Sequence, residues 1–119
     1  MRVAVGKFMV LAGLLLATSS VQAQEYAPPK GDAHNGSILF QRFGCYSCHG
    51  TWGQGTGRDG PRLNPPPAFP VVLQQLRTPR REMPPYVASV IPDQGVADIY
   101  AYLSSLPKPP DPKTIKELQ

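Results

Sequence analysis

The stretch Cys45-Tyr46-Ser47-Cys48-His49 decides the fold of this chain, and it is a C-x-x-C-H run. Two thiols three residues apart fall on one side of a helical turn, where each can form a thioether with a vinyl group of the same porphyrin. His49 follows directly, so its imidazole is carried under the ring to the metal. We therefore predict one covalently bound haem c, attached at Cys45 and Cys48, with His49 as an iron ligand.

The N-terminus is typical of a secretory signal peptide. Arg2 and Lys7 flank the start of the chain, the apolar run Phe8 to Ala17 follows, and small residues lead to Ala23. The apolar run has ten residues, whereas a membrane-spanning helix needs about 20. We expect cleavage after Ala23, so that residues 1–23 are removed and no permanent membrane anchor remains. In a Gram-negative cell the exported protein would lie in the periplasm.

The rest of the chain has room for one domain only. All 15 prolines lie beyond residue 23, and they concentrate in residues 61–85 and 107–112, where they disfavour long helices and central strands. A core made from so few elements would be completed by a large apolar cofactor. We expect the domain to span residues 24–106 and an extended, polyproline-like C-terminal tail to span residues 107–119.

The cysteine pair has three alternative interpretations. A thioredoxin-like dithiol needs a preceding strand and a βαβ sheet, and no alternating strand pattern occurs beyond the signal. A closed zinc site needs four ligands, and only His34 and Met83 remain to complete one in the exported chain. A plain disulfide suits an oxidising compartment but leaves the position of His49 unexplained.

The net charge gives no support to nucleic-acid binding. The whole chain carries a formal charge of +4. Arg2 and Lys7 leave with the signal, so ten basic and eight acidic residues remain, which is a formal charge of +2. We therefore expect no nucleic-acid partner.

A first amphipathic helix is predicted before the motif. Asp32 can cap it, and Gly44 ends it. Its apolar face recurs at helical spacing through Ala33, Gly36, Phe40 and Phe43. Glycine inside a helix costs about 1 kcal/mol relative to alanine. Gly36 is therefore either an ordinary weak spot or a point where another helix approaches closely, and the spacing alone leaves both open.

A C-terminal helix is predicted to begin at Asp93 as N-cap and to stop at Pro107. Its apolar face consists of Val96, Ile99, Tyr100, Leu103 and Leu106. A shorter helix is predicted over residues 71–76, between two prolines. The fold class is therefore all-α, with about three helices and proline- and glycine-rich loops wrapped around one haem.

Met83 is the predicted sixth ligand of the iron. Beyond the signal the chain has one methionine, Met83, and one further histidine, His34. His34 lies 11 residues before Cys45, a poor position for reaching the opposite face of the ring, whereas Met83 lies 34 residues beyond His49. A lone methionine is commonly core filler, but this one has charged and proline neighbours. Its soft thioether would raise the reduction potential of a His-ligated haem.

With these residues assembled, the chain resembles the class I cytochrome c family over roughly residues 31–106. The motifs that match, in chain order, are Gly36 with Phe40 and residues 45–49, 60–63, 83–86 and 97–103. Proline-rich composition between His49 and Met83 makes it similar to small bacterial mono-haem members of that family. The resemblance implies that the Pro61 carbonyl accepts a hydrogen bond from the His49 ring and that Leu63 lines the haem pocket. It also implies that Gly36 and Phe40 pack on Ile99 and Tyr102.

The resemblance further implies one-electron transfer between a periplasmic dehydrogenase or other donor and a downstream acceptor such as an oxidase. Such a protein is a carrier rather than an enzyme, and it is a monomer unless it is held in a complex as the haem subunit of a dehydrogenase. The alternative is a haem enzyme or gas-binding sensor with an open sixth site. That alternative needs acid-base groups on the distal side of the haem. Apart from His49, the exported chain has one histidine, His34, and no obvious distal acid.

Two groups of surface residues are further candidates. Arg77, Arg80 and Arg81 precede Met83 and predict a basic patch for docking of a partner. Trp52, Arg58 and Arg62 are candidates for contact with the haem propionates.

Overall fold

A computed structural model describes residues 27–57 and 60–118 of the 119-residue chain. Within these residues there is no strand, and the α-helices are α1 (Ala33–Arg42), α2 (Cys45–His49), α3 (Phe69–Arg77) and α4 (Asp93–Ser105). The predicted all-α fold is therefore confirmed, with the short α2 added to the three longer helices. The predicted signal peptide, residues 1–23, lies outside the described residues. In the part that is described, no helix has the length and apolar character needed to span a membrane.

Helix α1 begins and ends as the sequence predicts. The Asp32 carboxylate caps it by accepting hydrogen bonds from the backbone N–H groups of His34 at 2.8 Å and Asn35 at 3.1 Å. After the C-cap Phe43, Gly44 adopts a φ of 73°, a left-handed conformation that glycine reaches without steric cost. This residue turns the chain directly from α1 into α2.

Helix α3 is longer than predicted and starts at Phe69 instead of residue 71. Pro70 lies in its first turn, where a missing N–H group leaves no hydrogen bond broken. Pro70, the first of the two prolines between which the sequence predicts this helix, is therefore part of the helix.

Helix α4 starts with a different cap from the predicted one. Pro92 is the N-cap, and Asp93 is the first helical residue. The Asp93 carboxylate pairs instead with the guanidinium of Arg77 at the end of α3. It also adds negative charge to the first turn of α4, where the helix dipole favours it.

Helices α1 and α4 cross at Gly36. A Cβ atom at this position would overlap the backbone carbonyl of Asp98, so the two backbones are in close approach. One turn later Phe40 is fully buried, and its ring centroid lies 5.6 Å from that of Tyr102. The close-approach interpretation of Gly36 is therefore correct.

Asp98 is a buried carboxylate that ties the start of α1 to α4. It accepts hydrogen bonds from the Asp32 backbone N–H at 2.9 Å, from Asn35 Nδ2 at 2.7 Å and from Gln94 Nε2 at 3.0 Å. Burial by itself raises the pKa of Asp98, but these donors outweigh burial and hold the pKa below its ordinary value. The ionised carboxylate therefore stabilises the crossing.

The buried apolar core is drawn from α1, α3, α4 and the residue before the α4 cap. Its members are Phe40, Phe69, Leu76, Ile91, Val96, Ala97, Ile99 and Leu103. Cys45, Leu63 and Met83 are half-buried and pack against this core. These three predicted haem-binding residues therefore lie at the edge of the core.

The C-terminal segment is less extended than predicted. It contains two 3₁₀ turns, Pro112–Thr114 and Lys116–Leu118. The Asp111 carboxylate caps the first turn by accepting a hydrogen bond from the Lys113 N–H at 2.9 Å. An aspartate and a proline together favour such a turn, so the segment is not a continuous polyproline stretch.

Candidate haem-binding site

Helix α2 presents two thiols and an imidazole within five residues. Cys45 is half-buried, Cys48 is exposed, and both are free thiols. Residues three apart in a helix are neighbours on its surface, so both sulfur atoms face one side. His49 is buried with 9% of its surface exposed.

The His49 ring has a defined orientation. Its Nδ1 atom lies 2.9 Å from the carbonyl oxygen of Pro61, which is the hydrogen bond that the resemblance implies. A carbonyl oxygen can only accept, so Nδ1 carries the proton and Nε2 keeps its lone pair. The imidazole is therefore ready to bind a metal through Nε2.

The glycine-rich loop after α2 holds the end of that helix. The His49 carbonyl accepts a hydrogen bond from Gly55 N–H at 2.7 Å, and the Cys48 carbonyl accepts one from Thr56 Oγ1 at 2.7 Å. A Cβ at Gly60 would overlap the Cys48 carbonyl, so the returning chain also lies against α2. Thr56 was not identified from the sequence, because nothing in its spacing signals this contact.

Helix α2 does not lie in the surroundings that a dithiol redox motif needs. Burial raises the pKa of Cys45 to about 11, so this thiol is neutral near pH 7. A thioredoxin-like dithiol needs a strand before the motif, and the described residues contain no strand. Among the described residues, no three His, Cys, Asp or Glu side chains come together to hold a metal ion, so the zinc alternative gains no support.

Met83 lies in the segment between α3 and α4 and is half-buried. Its Sδ atom accepts a hydrogen bond from Gln75 Nε2 at 3.6 Å. Two residues earlier, Arg81 has a φ of 61°, which lies in the left-handed region that is uncommon for residues with side chains. The chain therefore turns sharply just before Met83.

The segment that carries Met83 is fixed to the rest of the molecule through Tyr86. The Tyr86 N–H donates to the Leu76 carbonyl at 2.8 Å, and its carbonyl accepts from Arg77 Nη1 at 2.6 Å. Its hydroxyl donates to the Phe43 carbonyl at 2.9 Å. These bonds join the segment to the end of α3 and to the turn that precedes α2.

Tyr86 also shows that this segment lies beside the cysteine motif. Its hydroxyl bonds to the carbonyl of Phe43, two residues before Cys45, and its ring packs edge-on against the Phe43 ring with centroids 6.3 Å apart. Burial of the phenol at this contact raises its pKa. The structure therefore brings the Met83 segment to the motif.

The remaining predicted residues fall in different places. The backbone N–H of Leu63 donates to the Gly53 carbonyl at 2.8 Å, and its side chain is half-buried against the core. His34 is exposed on α1. Trp52 and Arg62 line a groove of about 420 Å³ together with residues 106–110. Arg58 lies outside the described residues.

The predicted basic patch is smaller than expected. Arg77 is engaged by Tyr86 and Asp93, and its side chain is only 21% exposed. Arg80 and Arg81 are exposed. The patch before Met83 therefore consists of Arg80 and Arg81, and Arg77 has a structural role.

These residues fit a haem. An imidazole with a free Nε2 and a thioether are ligands of haem iron, and two cysteine thiols can form thioethers with the vinyl groups of the ring. The side chains of Cys45, Leu63, Met83 and Tyr86 are apolar or aromatic and only half-buried. A large planar apolar ligand would complete their burial.

The chain is similar to known proteins of one class. Residues 31–103 match the sequence profile of the family described as cytochrome c oxidase, cbb3-type, subunit III. Over 106 residues the chain is 28% identical to cytochrome c-555 from Methylococcus capsulatus strain Bath, covering 78% of this chain and 76% of that relative. No solved structure matches. The matched range contains the cysteine motif, Pro61, Leu63 and Met83.

Proposed function

Since this chain belongs to the cytochrome c family, whose members carry covalently bound haem c and transfer electrons, we propose that it is a periplasmic one-electron carrier with His49 and Met83 as axial ligands. Cys45 and Cys48 are the attachment points, and Pro61 and Leu63 belong to the pocket. Residues 1–23 form the cleaved signal, residues 24–106 the haem domain and residues 107–119 the tail. A periplasmic dehydrogenase or other donor delivers the electron, and a downstream redox protein accepts it.

The observation that carries this proposal is the contact between His49 Nδ1 and the Pro61 carbonyl at 2.9 Å. It keeps the proton on Nδ1, so the imidazole binds as a neutral ligand through Nε2. Because the carbonyl belongs to the backbone of a loop that is itself bonded to α2, the ring cannot rotate freely. The same residues that position His49 also fix its tautomer.

When bound, the haem supplies an iron centre that exchanges one electron between its ferric and ferrous states. His49 and Met83 would hold the iron, and hydrogen bonds to the backbone fix the segments that carry them. Pro61 holds His49, and the bonds of Tyr86 hold the Met83 segment. A site whose ligands stay in place needs little rearrangement when the electron arrives, and this suits a carrier rather than an enzyme.

The ligation by Met83 can be tested with Met83→Ala and with His34→Ala as a matched control. We expect ferrous Met83→Ala protein to bind carbon monoxide readily and its reduction potential to fall, because a soft thioether ligand is lost. His34→Ala protein should behave as the wild type, since His34 is exposed on α1.

Two outcomes would contradict the proposal. A Met83→Ala protein with the spectrum and potential of the wild type would mean that another group is the ligand. A wild-type ferrous protein that binds carbon monoxide as readily as the variant would favour a gas-binding sensor or haem enzyme with an open sixth site.

A further inference from the structure

Gln75 donates a hydrogen bond from Nε2 to the Sδ atom of Met83 at 3.6 Å. Gln75 is half-buried on the last turn of α3, whereas the neighbouring Gln74 is exposed. An amide nitrogen carries two donor hydrogens, and a thioether sulfur is a weak acceptor. The contact therefore has a defined polarity, with the positive end of the amide dipole directed at the sulfur.

The backbone holds these two side chains opposite each other. After α3 the chain turns back through Arg81, with a φ of 61°. The returning segment is then fixed to the helix by the hydrogen bond from Tyr86 N–H to the Leu76 carbonyl at 2.8 Å. Gln75 precedes Leu76 directly, so its side chain starts from the part of α3 on which this segment is anchored.

The polarity of the contact has a consequence for the redox equilibrium. A donor on the sulfur withdraws electron density from it and places a partial positive charge near the iron. Positive charge disfavours the ferric state more than the ferrous state, and the effect is stronger in a half-buried site than in water. A sulfur atom that gives one lone pair to a metal keeps another for the amide.

We propose that Gln75 is a positioning residue that holds the Met83 sulfur and raises the reduction potential of the protein. This inference rests on the proposed ligation by Met83. Through Gln75, helix α3 contributes to the reduction potential of the protein.

The test compares Gln75→Leu with Gln74→Leu in the full-length holoprotein. Leucine removes the donor at position 75, while position 74 lies about 100° away around the helix axis. A redox titration measures the potential, and the sulfur-to-iron charge-transfer absorption of the ferric protein reports whether Met83 remains bound. We expect a lower potential for Gln75→Leu only, with the absorption retained, equivalent to a roughly two- to tenfold shift of the redox equilibrium toward the ferric form.

A third variant, Gln75→Glu, separates a polar effect from a packing effect. An ionised carboxylate cannot donate and adds negative charge, so at pH 8 its potential should lie below that of Gln75→Leu. A residue that only fills space would not make the reduction potential fall in the order wild type, Gln75→Leu, Gln75→Glu. Loss of the sulfur absorption in Gln75→Leu but not in Gln74→Leu would also support the proposal, because it shows that Gln75 holds the sulfur.

Different results would overturn the role of Gln75 and the ligation by Met83. Equal potentials in the wild type, Gln75→Leu and Gln75→Glu, with the sulfur absorption intact, would overturn the role of Gln75 alone. A wild-type protein without that absorption would overturn the ligation by Met83.

Discussion

The Nη1 atom of Arg77 donates a hydrogen bond to the carbonyl oxygen of Tyr86 at 2.6 Å, while its Nη2 atom pairs with Asp93. One guanidinium thereby joins three elements, namely the end of α3, the segment after Met83 and the first turn of α4. The planar group of arginine can make both contacts at once, which lysine cannot. This side chain closes the base of the loop that carries Met83.

We expect Arg77→Gln to lower the free energy of unfolding by about 1–2 kcal/mol, because a charged hydrogen bond and a partly exposed ion pair are lost. A looser loop should also release Met83 more readily, so ferrous protein should bind carbon monoxide more tightly. Denaturant unfolding and a carbon monoxide titration measure the two effects. Arg80→Gln, an exposed position in the same loop, is the control, and equal carbon monoxide affinity in both variants would contradict the prediction.

The two cysteines should be individually required for stable haem attachment. We expect Cys45→Ala and Cys48→Ala to prevent stable holoprotein from accumulating after export, because each variant lacks one thioether. Haem staining after denaturing electrophoresis measures covalent attachment. Ser47→Ala lies between the two cysteines and removes hydrogen bonds to the Gly44 carbonyl and to the Cys48 sulfur but neither thiol, so it should retain the haem. Covalent haem in a Cys45→Ala, Cys48→Ala double variant would refute the attachment.

Asp98 should make the stability of the protein depend on pH in the acid range. Its folded-state pKa lies below the ordinary value of 3.8, so its contribution is complete above that pH and is lost as the pH falls toward the folded pKa. We expect Asp98→Asn to destabilise the protein by about 1–3 kcal/mol at pH 7. Denaturant unfolding should show this difference shrinking below pH 4.

Asp111→Asn is the control for the acid titration, because Asp111 is exposed and caps only a 3₁₀ turn. Its stability should follow that of the wild type across the whole range. A difference between wild type and Asp98→Asn that stays constant from pH 7 to pH 3 would show that the charge of Asp98 is not what stabilises the crossing.

Arg80 and Arg81 should contribute to docking of an acidic partner. Without residues 1–23 the chain carries a formal charge of +2. Two ionised haem propionates would offset this charge, so long-range attraction would be weak while a local basic patch remains. Replacing both arginines with glutamine should slow electron exchange at low salt. The difference should shrink toward 1 M salt, where charges more than about 3 Å apart are screened. Equal rates at every salt concentration would place docking elsewhere.

The sequence predicted those elements that are determined by residues a few positions apart in the chain. Asp32 and Gly44 bound α1 because a capping carboxylate and a left-handed glycine act within a few residues. Helix α2 follows from the spacing of its cysteines. The hydrogen bond from His49 to Pro61 came from family resemblance, since the two residues are 12 apart and no periodicity links them.

The features that the sequence did not predict depend on tertiary contacts. Asp93 suits an N-cap, but Arg77, 16 residues earlier in the chain, takes its carboxylate. The contact between Gln75 and Met83 depends on the left-handed conformation of Arg81, for which arginine gives no signal. Whether Gly36 was a weak spot or a crossing point required the position of α4.

The contacts of Asp98 reach back 66 residues to Asp32 and 63 residues to Asn35. They close the chain into a ring that contains the cysteine motif and Met83. Because α1 and the motif precede α4 in the chain, the ring closes only when α4 packs at Gly36. Closing so long a loop costs little more than closing a short one. Both thiols can therefore be reached before the ring closes, and in the closed ring Cys45 is half-buried while Cys48 stays exposed.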